Sequence, residues 1–410
     1  VLAAAIGVVG WSRTALAQLA VSPGPPGRDV LVVVFLRGGA DGLNIVTPYR
    51  EDGYYRARPS LGIPRPQAGV GEQDRLIELD GFFGLNPALA PLRPSWDAGE
   101  LAFVHAVGSQ DESRSHFEAM NAMERGLARS GSGAAGGWLA RHLASTEGSG
   151  SPLRAVAFGG LTPDSLQGGT HGLAITSLDD FRLSAPPGGG TAAQRWLENL
   201  YGKGDDELTS AGRETLAVLE SIRRLDPATY RPAAGASYPD SDLGRGLRQV
   251  ALLIKAELGL EVACLDHGGY DTHVAQGTTS GWLTGNLLDL GRSIAAFAAD
   301  LGDRMARVTV VVQTEFGRRL GENSGLGTDH GRSGVMMLLG GGVRGGKVHG
   351  PWPTLERDAL DEYGDLRVAT DYREVLADVV RARLANPRVE DVFPGYRPGG
   401  TSFVREALAG

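Results

Sequence analysis

The stretch "DVLVVVFLRGGADG", residues 29–42, decides the fold class. Seven consecutive apolar residues, Val30 to Leu36, show no alternation with polar ones. A strand exposed on one face alternates; one covered on both faces, as in parallel sheets, reads as a continuous β-branched run. Arg37-Gly38-Gly39-Ala40-Asp41-Gly42 then breaks the strand with a glycine-rich loop. Further apolar runs of strand length cover Leu101 to Val107, Leu153 to Phe158, Leu173 to Thr176, Leu260 to Leu265, Val308 to Val312 and Val335 to Leu339. Helical spacing covers 116–126, 206–226, 241–258, 281–304 and 371–384, the last with Thr370 or Asp371 as N-cap. The alternation predicts an α/β fold, a three-layer α/β/α sandwich with a mostly parallel central sheet. Segments 130–137, 147–151 and Pro186 to Gly190 read as loops, and no internal repeat is present.

Composition bounds the function. The chain has 410 residues, 42% hydrophobic and 21% charged, with 61 glycines and a net charge of -8. That balance and the lack of a basic stripe exclude nucleic acid as a partner. The single cysteine, Cys264, excludes an intrachain disulfide framework and a cysteine-based zinc site, and its apolar neighbours make it a buried, inert thiol. At the start, "VLAAAIGVVG" (1–10) has the length of a signal-peptide apolar region and is too short to span a bilayer. Thr14-Ala15-Leu16-Ala17 before Gln18 has the small-x-small cleavage pattern. The expected organisation is a signal-peptide remnant over 1–17, a Pro/Gly-rich spacer over 18–28, one α/β domain over 29–398 and a tail over 399–410. Export to the periplasm or exterior is the expectation, with no transmembrane segment in the mature chain.

Polar residues gather at the ends of the expected strands, where α/β sheets place their sites. Asp41 follows the first strand, and Ser113, Ser115 and His116 follow the second. Asp266, His267, Asp271 and His273, in "LDHGGYDTH" (265–273), follow the central one. Glu315 ends the next, and Asp329-His330 precede the last. Carboxylates and imidazoles facing one crevice suit a divalent cation, and a serine opening a helix suits an anionic reaction centre. Each also has a plainer reading: Ser113 or Ser115 as an N-cap, Asp41 as a turn residue, Glu315 paired with Arg318 or Arg319, Asp329-His330 as a cap. His105 reads as a core histidine and His142 as a helix-surface one, while His171 and His349 stay undecided.

Five motifs in order, "VVVFLRGGADGLN" (32–44), "SRSHFEAMNAMERG" (113–126), "GGYDTH" (268–273), "TEFGRRLGENSGLGTDHG" (314–331) and "GGGVRGGKVHGPWP" (340–353), resemble the exported family catalogued as domain of unknown function 1501. The resemblance runs from about residue 29 to "VFPGY" (392–396). That family commonly carries twin-arginine export signals and is in turn similar to the alkaline phosphatase and sulfatase superfamily, an α/β/α sandwich with a two-metal centre. The resemblance implies Asp41 as a metal ligand, Ser115 or Ser113 as nucleophile, Asp271 and His273 as a ligand pair, and Glu315 and His330 as further ligands. Phe316 stands where the superfamily has a ligand histidine, with His116 or Asp329 as its replacement. The implied function is a metal-dependent hydrolase or transferase acting on small-molecule or polymer-borne phosphate or sulfate esters. One or two ions serve it, zinc first, with manganese, calcium or magnesium as alternatives. Arg37, Arg114 and Arg318 are the expected anion clamps. The alternative is a non-catalytic exported binding or assembly protein that keeps the fold and at most one structural metal. A dehydrogenase is discarded, because "RGGADGLN" lacks the G-x-G-x-x-G spacing.

Overall fold

The computed structural model describes residues 29–405 apart from 132, 149–150, 152, 170–171, 179–198, 202–208, 210–211, 214–215, 218, 221 and 223–224. The expected signal remnant and spacer, the loop at Pro186 to Gly190, His171 and most of the helix expected over 206–226 fall outside the described residues.

The opening run forms β1 (Val30–Leu36), every residue of it buried. A small antiparallel sheet comes next, from β2 (Val46–Thr47), β3 (Ile77–Glu78) and β4 (Gly84–Leu85). The main sheet adds β5 (Leu101–Gly108), β6 (Ala155–Phe158), β7 (Gly172–Ile175) and β8 (Val262–His267). It is completed by β9 (Val308–Thr314), β10 (Gly334–Leu339), β11 (Lys347–His349) and β12 (Thr370–Asp371). Its order is β11-β5-β10-β9-β1-β8-β6-β7, with β12 also beside β5. Every pairing is parallel except those of β10, which runs against both β9 and β5.

The alternation hidden in Val30–Leu36 appears in the packing. Val30, Val32, Val34 and Leu36 face a core shared with Leu247 and Val250 of the helix Asp242–Lys255 and Leu287 and Phe297 of the helix Trp282–Leu301. Leu31, Val33 and Phe35 face the opposite core, with Trp138 of the helix Trp138–Ala144 and Val375 and Val379 of the helix Tyr372–Ala382. Helices on both faces of a mostly parallel sheet make the expected three layers. Each fully buried aliphatic of β1 contributes about 1.5–3 kcal/mol, and neither face can be made polar without opening a core. Asp371 is the N-cap of the helix Tyr372–Ala382, accepting from the Arg373 amide at 2.9 Å.

Several isolated polar residues find their places here. Cys264 is buried in β8. His105 lies in the core, its Nε2 2.8 Å from the Val46 carbonyl, and burial pushes its pKa down to about 4. His142 corrects the sequence reading: it is buried rather than at the helix surface, because the Asn386 amide packs 3.0 Å from its Nδ1. His349 is buried too, 2.8 Å from the Arg344 carbonyl. Among the described residues no helix is long and apolar enough to cross a membrane.

The reversal of β10 adds a loop to one edge of the sheet. β1, β8 and β9 end level, with Leu36 beside His267 on one side and Thr314 on the other. Because β10 runs the other way, the loop that enters it, carrying Asp329 and His330, lies at the same edge as the loops that leave β1, β8 and β9.

Candidate metal centre

Three histidines and one aspartate converge at this edge. His116 opens the helix His116–Glu124 after β5, Asp271 and His273 follow β8, and His330 precedes β10. The ligand atoms of His116, Asp271 and His330 all lie within 4.8 Å of one another. His273 joins them: its Nε2 is 2.9 Å from His330 Nε2 and 3.0 Å from Asp271 Oδ1. His330 Nε2 is 3.1 Å from Asp271 Oδ1, and His116 Nε2 is 3.4 Å from Asp271 Oδ2.

The far side of each ring fixes its tautomer. Nδ1 of His330 faces the Arg114 carbonyl at 2.8 Å, Nδ1 of His273 faces Asp329 Oδ1 at 3.0 Å, and Nδ1 of His116 faces Glu315 Oε1 at 2.8 Å. Those oxygens only accept, so each Nδ1 carries the proton and donates it. In the neutral rings all three Nε2 lone pairs then point inward, and the Nε2 atoms of His273 and His330 face each other without a proton between them. His116 Nε2 is buried with no hydrogen-bond partner among the described residues. A proton on His330 would relieve the clash, but burial lowers the pKa of that ring. A divalent cation relieves it without one. Four donors on a tetrahedral zinc stand about 3.3 Å apart, close to the observed spacings, and imidazoles held through Nδ1 by a carboxylate or carbonyl are the usual outer support of such ligands. The residues therefore fit a cation.

The supporting groups are built deeply. Glu315 is buried at the end of β9; its Oε1 accepts from His116 and from the Gly38 amide at 2.9 Å, and its Oε2 from the Thr314 hydroxyl at 3.0 Å. Burial alone would raise the Glu315 pKa, but the bond from His116 and the Gly38 and Gly39 amides hold it below the ordinary value. Gly38 has φ +118°, and a Cβ there would lie 2.5 Å from the Asp271 amide nitrogen, so only glycine lets the β1 loop approach Asp271 this closely. Asp271 has a pKa lowered to about 2: partial burial works against this, and the Arg318 guanidinium, bonded to Oδ1 at 2.6 Å, outweighs it. Phe316 is no ligand; its ring packs between His116 and His330, with centroids 4.9 and 4.8 Å away.

Other expected site residues stand apart from the converging donors. Asp41 is fully buried and spends its carboxylate on Arg58, at 2.6 and 3.0 Å, and on Gln276 at 2.7 Å. This corrects the reading of Asp41 as a ligand: a guanidinium already neutralises it. Glu315 and Asp329 stand behind His116 and His273 rather than among the inward-facing donors. The three arginines are not free anion clamps. Arg37 holds Glu124 and Asp266, and Arg114 holds Asp365. Arg318 is buried against Asp271 at 2.6 Å and the carbonyls of Gly39, Thr328 and Tyr270. Ser113 bonds Glu118 through its hydroxyl and also accepts from the Ser115 amide at 3.1 Å. Ser115 is the N-cap position of the helix His116–Glu124, yet its hydroxyl caps no amide. His267, expected in a loop, ends β8 and pairs with Asp289 at 3.1 Å. Sequence reasoning missed Asn323, which donates to Asp329 Oδ1 and to the His273 carbonyl, both at 3.0 Å; its place in "GENSGLG" is the only signal for it, a turn asparagine.

Comparison with known proteins finds matches to parts of the chain or at low similarity. Residues 227–376 match the model of the family described as "Protein of unknown function (DUF1501)". The matched segment carries Asp271, His273, Glu315, Asp329 and His330, while His116 lies outside it. Among solved structures, two mutants of TAB5 alkaline phosphatase with Mg bound in the M3 site resemble the chain at 10% and 9% identity, each with a TM-score of 0.29. The alignments cover 76% of this chain and 90% and 91% of theirs. No curated protein matches. The donor set, not that likeness, is the basis for assigning chemistry to the chain.

Proposed function

We propose that the chain is an exported metal-dependent hydrolase or transferase acting on phosphate or sulfate esters at one cation centre, held by His116, Asp271, His330 and His273. The observation that carries it is the inward convergence of three Nε2 atoms whose Nδ1 protons are all anchored elsewhere. Three nitrogens and one oxygen favour zinc. When bound, the cation would supply Lewis acidity toward an ester oxygen.

The remaining steps belong to the chain. Side-chain exposures of 21% for His116 and His330, 39% for His273 and 48% for Asp271 put the donor residues at the protein surface, as substrate access requires. Glu315 keeps the proton on His116 Nδ1, so that Nε2 stays available. Ser115 adjoins His116 in sequence, and its hydroxyl, which caps no amide among the described residues, makes it the better nucleophile of the two serines. The first amides of its nine-residue helix favour negative charge beside it. With Asp41 held by Arg58, the donors support one ion rather than two.

A second reading, a non-catalytic exported protein with a structural metal, draws on Arg37, Arg114 and Arg318 all being engaged. One screen separates the two. The zinc-loaded chain is assayed on aryl phosphates and aryl sulfates beside Ser115→Ala. Turnover that this variant abolishes at unchanged metal content supports the enzyme; a stoichiometric cation with no turnover of any ester supports the structural role.

A further inference from the structure

A buried side-chain strut ties together the two loops that carry the donors. Gln276, with no exposed surface, accepts through Oε1 from the Thr272 hydroxyl at 2.8 Å and from the Thr328 hydroxyl at 2.7 Å, and donates through Nε2 to Asp41 at 2.7 Å. Thr272 sits between Asp271 and His273, and Thr328 immediately precedes Asp329 and His330. The backbones of the two loops are zipped beside it, Thr328 N to Thr272 O at 3.1 Å and Gln276 N to Leu326 O at 2.9 Å. Behind Gln276, Arg58 grips both oxygens of Asp41 and donates to the carbonyls of Arg319 and Leu320, each at 2.8 Å. Arg58 also bonds Asn44 Oδ1 at 2.7 Å. A side-chain amide can accept two hydroxyl protons at its oxygen and still donate from its nitrogen to a carboxylate on the far side. Valine at either threonine leaves Gln276 Oε1 with one hydroxyl instead of two, and methionine at Gln276 takes the acceptor from both threonine hydroxyls.

We propose that Gln276, seated on the Asp41–Arg58 ion pair, is the positioning residue that sets the distance between the Asp271/His273 loop and the His330 loop, and through it the affinity for the cation. Asp41 thus acts on the centre from behind, through Gln276, rather than by touching the ion. This rests on the cation centre proposed above, and not on the ester chemistry assigned to it. Outer-shell partners of metal ligands typically govern affinity by about 10- to 100-fold.

The test uses zinc alone, with affinity read by chelator competition and with amide exchange over residues 270–276 and 325–331 in the zinc-free chain. Gln276→Met is expected to bind zinc at least tenfold more weakly and to exchange faster in both loops. Thr272→Val and Thr328→Val follow it in part, while Thr328→Ser, which keeps the hydroxyl, binds as the parent does. A purely structural strut would lower thermal stability in the variants without moving the zinc affinity of the folded protein, and that result overturns the proposal. If Gln276→Met does not fold, the valine and serine variants decide: a loss with valine and recovery with serine supports the strut, and equal affinity overturns it. A parent chain that binds no zinc overturns the centre itself; one that binds zinc but turns over no ester overturns only the activity.

Discussion

At the scale of single residues, the site separates donors from their supports. Removing a donor and removing a support have different signatures. Glu315→Ala deletes the acceptor of His116 Nδ1 and is expected to weaken zinc about 10- to 100-fold while leaving a measurable site, as read by chelator competition. Asp271→Ala removes a donor outright, so zinc binding should vanish. Its cost to stability is about 1 kcal/mol, because Asp271 is half exposed and Arg318 keeps its carbonyl partners; urea unfolding of the zinc-free protein measures it. Much of this level was legible in sequence. Asp271, His273 and His330 announce themselves as acid and imidazole beside glycine at strand ends. His116 was readable as a polar residue after the second strand and as a substitute for the missing histidine at 316, but a histidine at a helix start carries no sign of where its ring turns. Asp41 misled, because its partner Arg58 lies 17 residues away, just past the end of the helix Asp52–Ala57, with no motif around it.

Among the elements, close backbone packing keeps the loops in register. Gly317 follows the Glu315-Phe316 pair, and a Cβ there would lie 1.8 Å from the Ser333 carbonyl oxygen. Gly317→Ala must push the β9 exit loop away from the β10 entry loop, at a cost of about 2 kcal/mol or more, visible as a fall in melting temperature. A second anchor is remote from the centre. Asp300, buried in the helix Trp282–Leu301, accepts from Lys255, from the Ala233 amide at 2.7 Å and from the Tyr230 and Tyr238 hydroxyls at 2.7 and 2.8 Å. Burial would raise its pKa; those bonds, Lys255 first, hold it below 3.8. Since the folded value is the lower one, this stabilisation is complete above about pH 4 and is lost as pH falls through the folded pKa. Asp300→Asn should therefore cost about 2–3 kcal/mol near neutrality and flatten the loss of stability below pH 4 in urea titrations. The longer strand runs and the four longest described helices were readable from periodicity. The reversal of β10 was not, because an apolar run such as Gly334–Leu339 reads the same in either direction.

For the molecule as a whole, the sandwich places the exit loops of β1, β5, β8 and β9 at one edge, and among the described strands β10 alone brings a loop there from its entering side. Three-layer architecture was legible in β1, whose unbroken apolar run only makes sense between two cores. His142 went astray because a short helix, Trp138–Ala144, is enclosed on the side of His142, although its neighbour Arg141 suggested solvent. A cation bound only by the folded state should raise stability by about 2.7 kcal/mol at a hundredfold excess over its dissociation constant, and chelation should reverse the gain. The central claim is the convergence of His116, Asp271, His330 and His273 on one cation. Calorimetric titration of the chelator-treated chain with zinc tests it most directly, beside His116→Ala and His330→Ala. The expected result is one zinc per chain in the parent and a loss of at least tenfold in each variant; no saturable binding, or equal binding by the parent and both variants, would contradict the account.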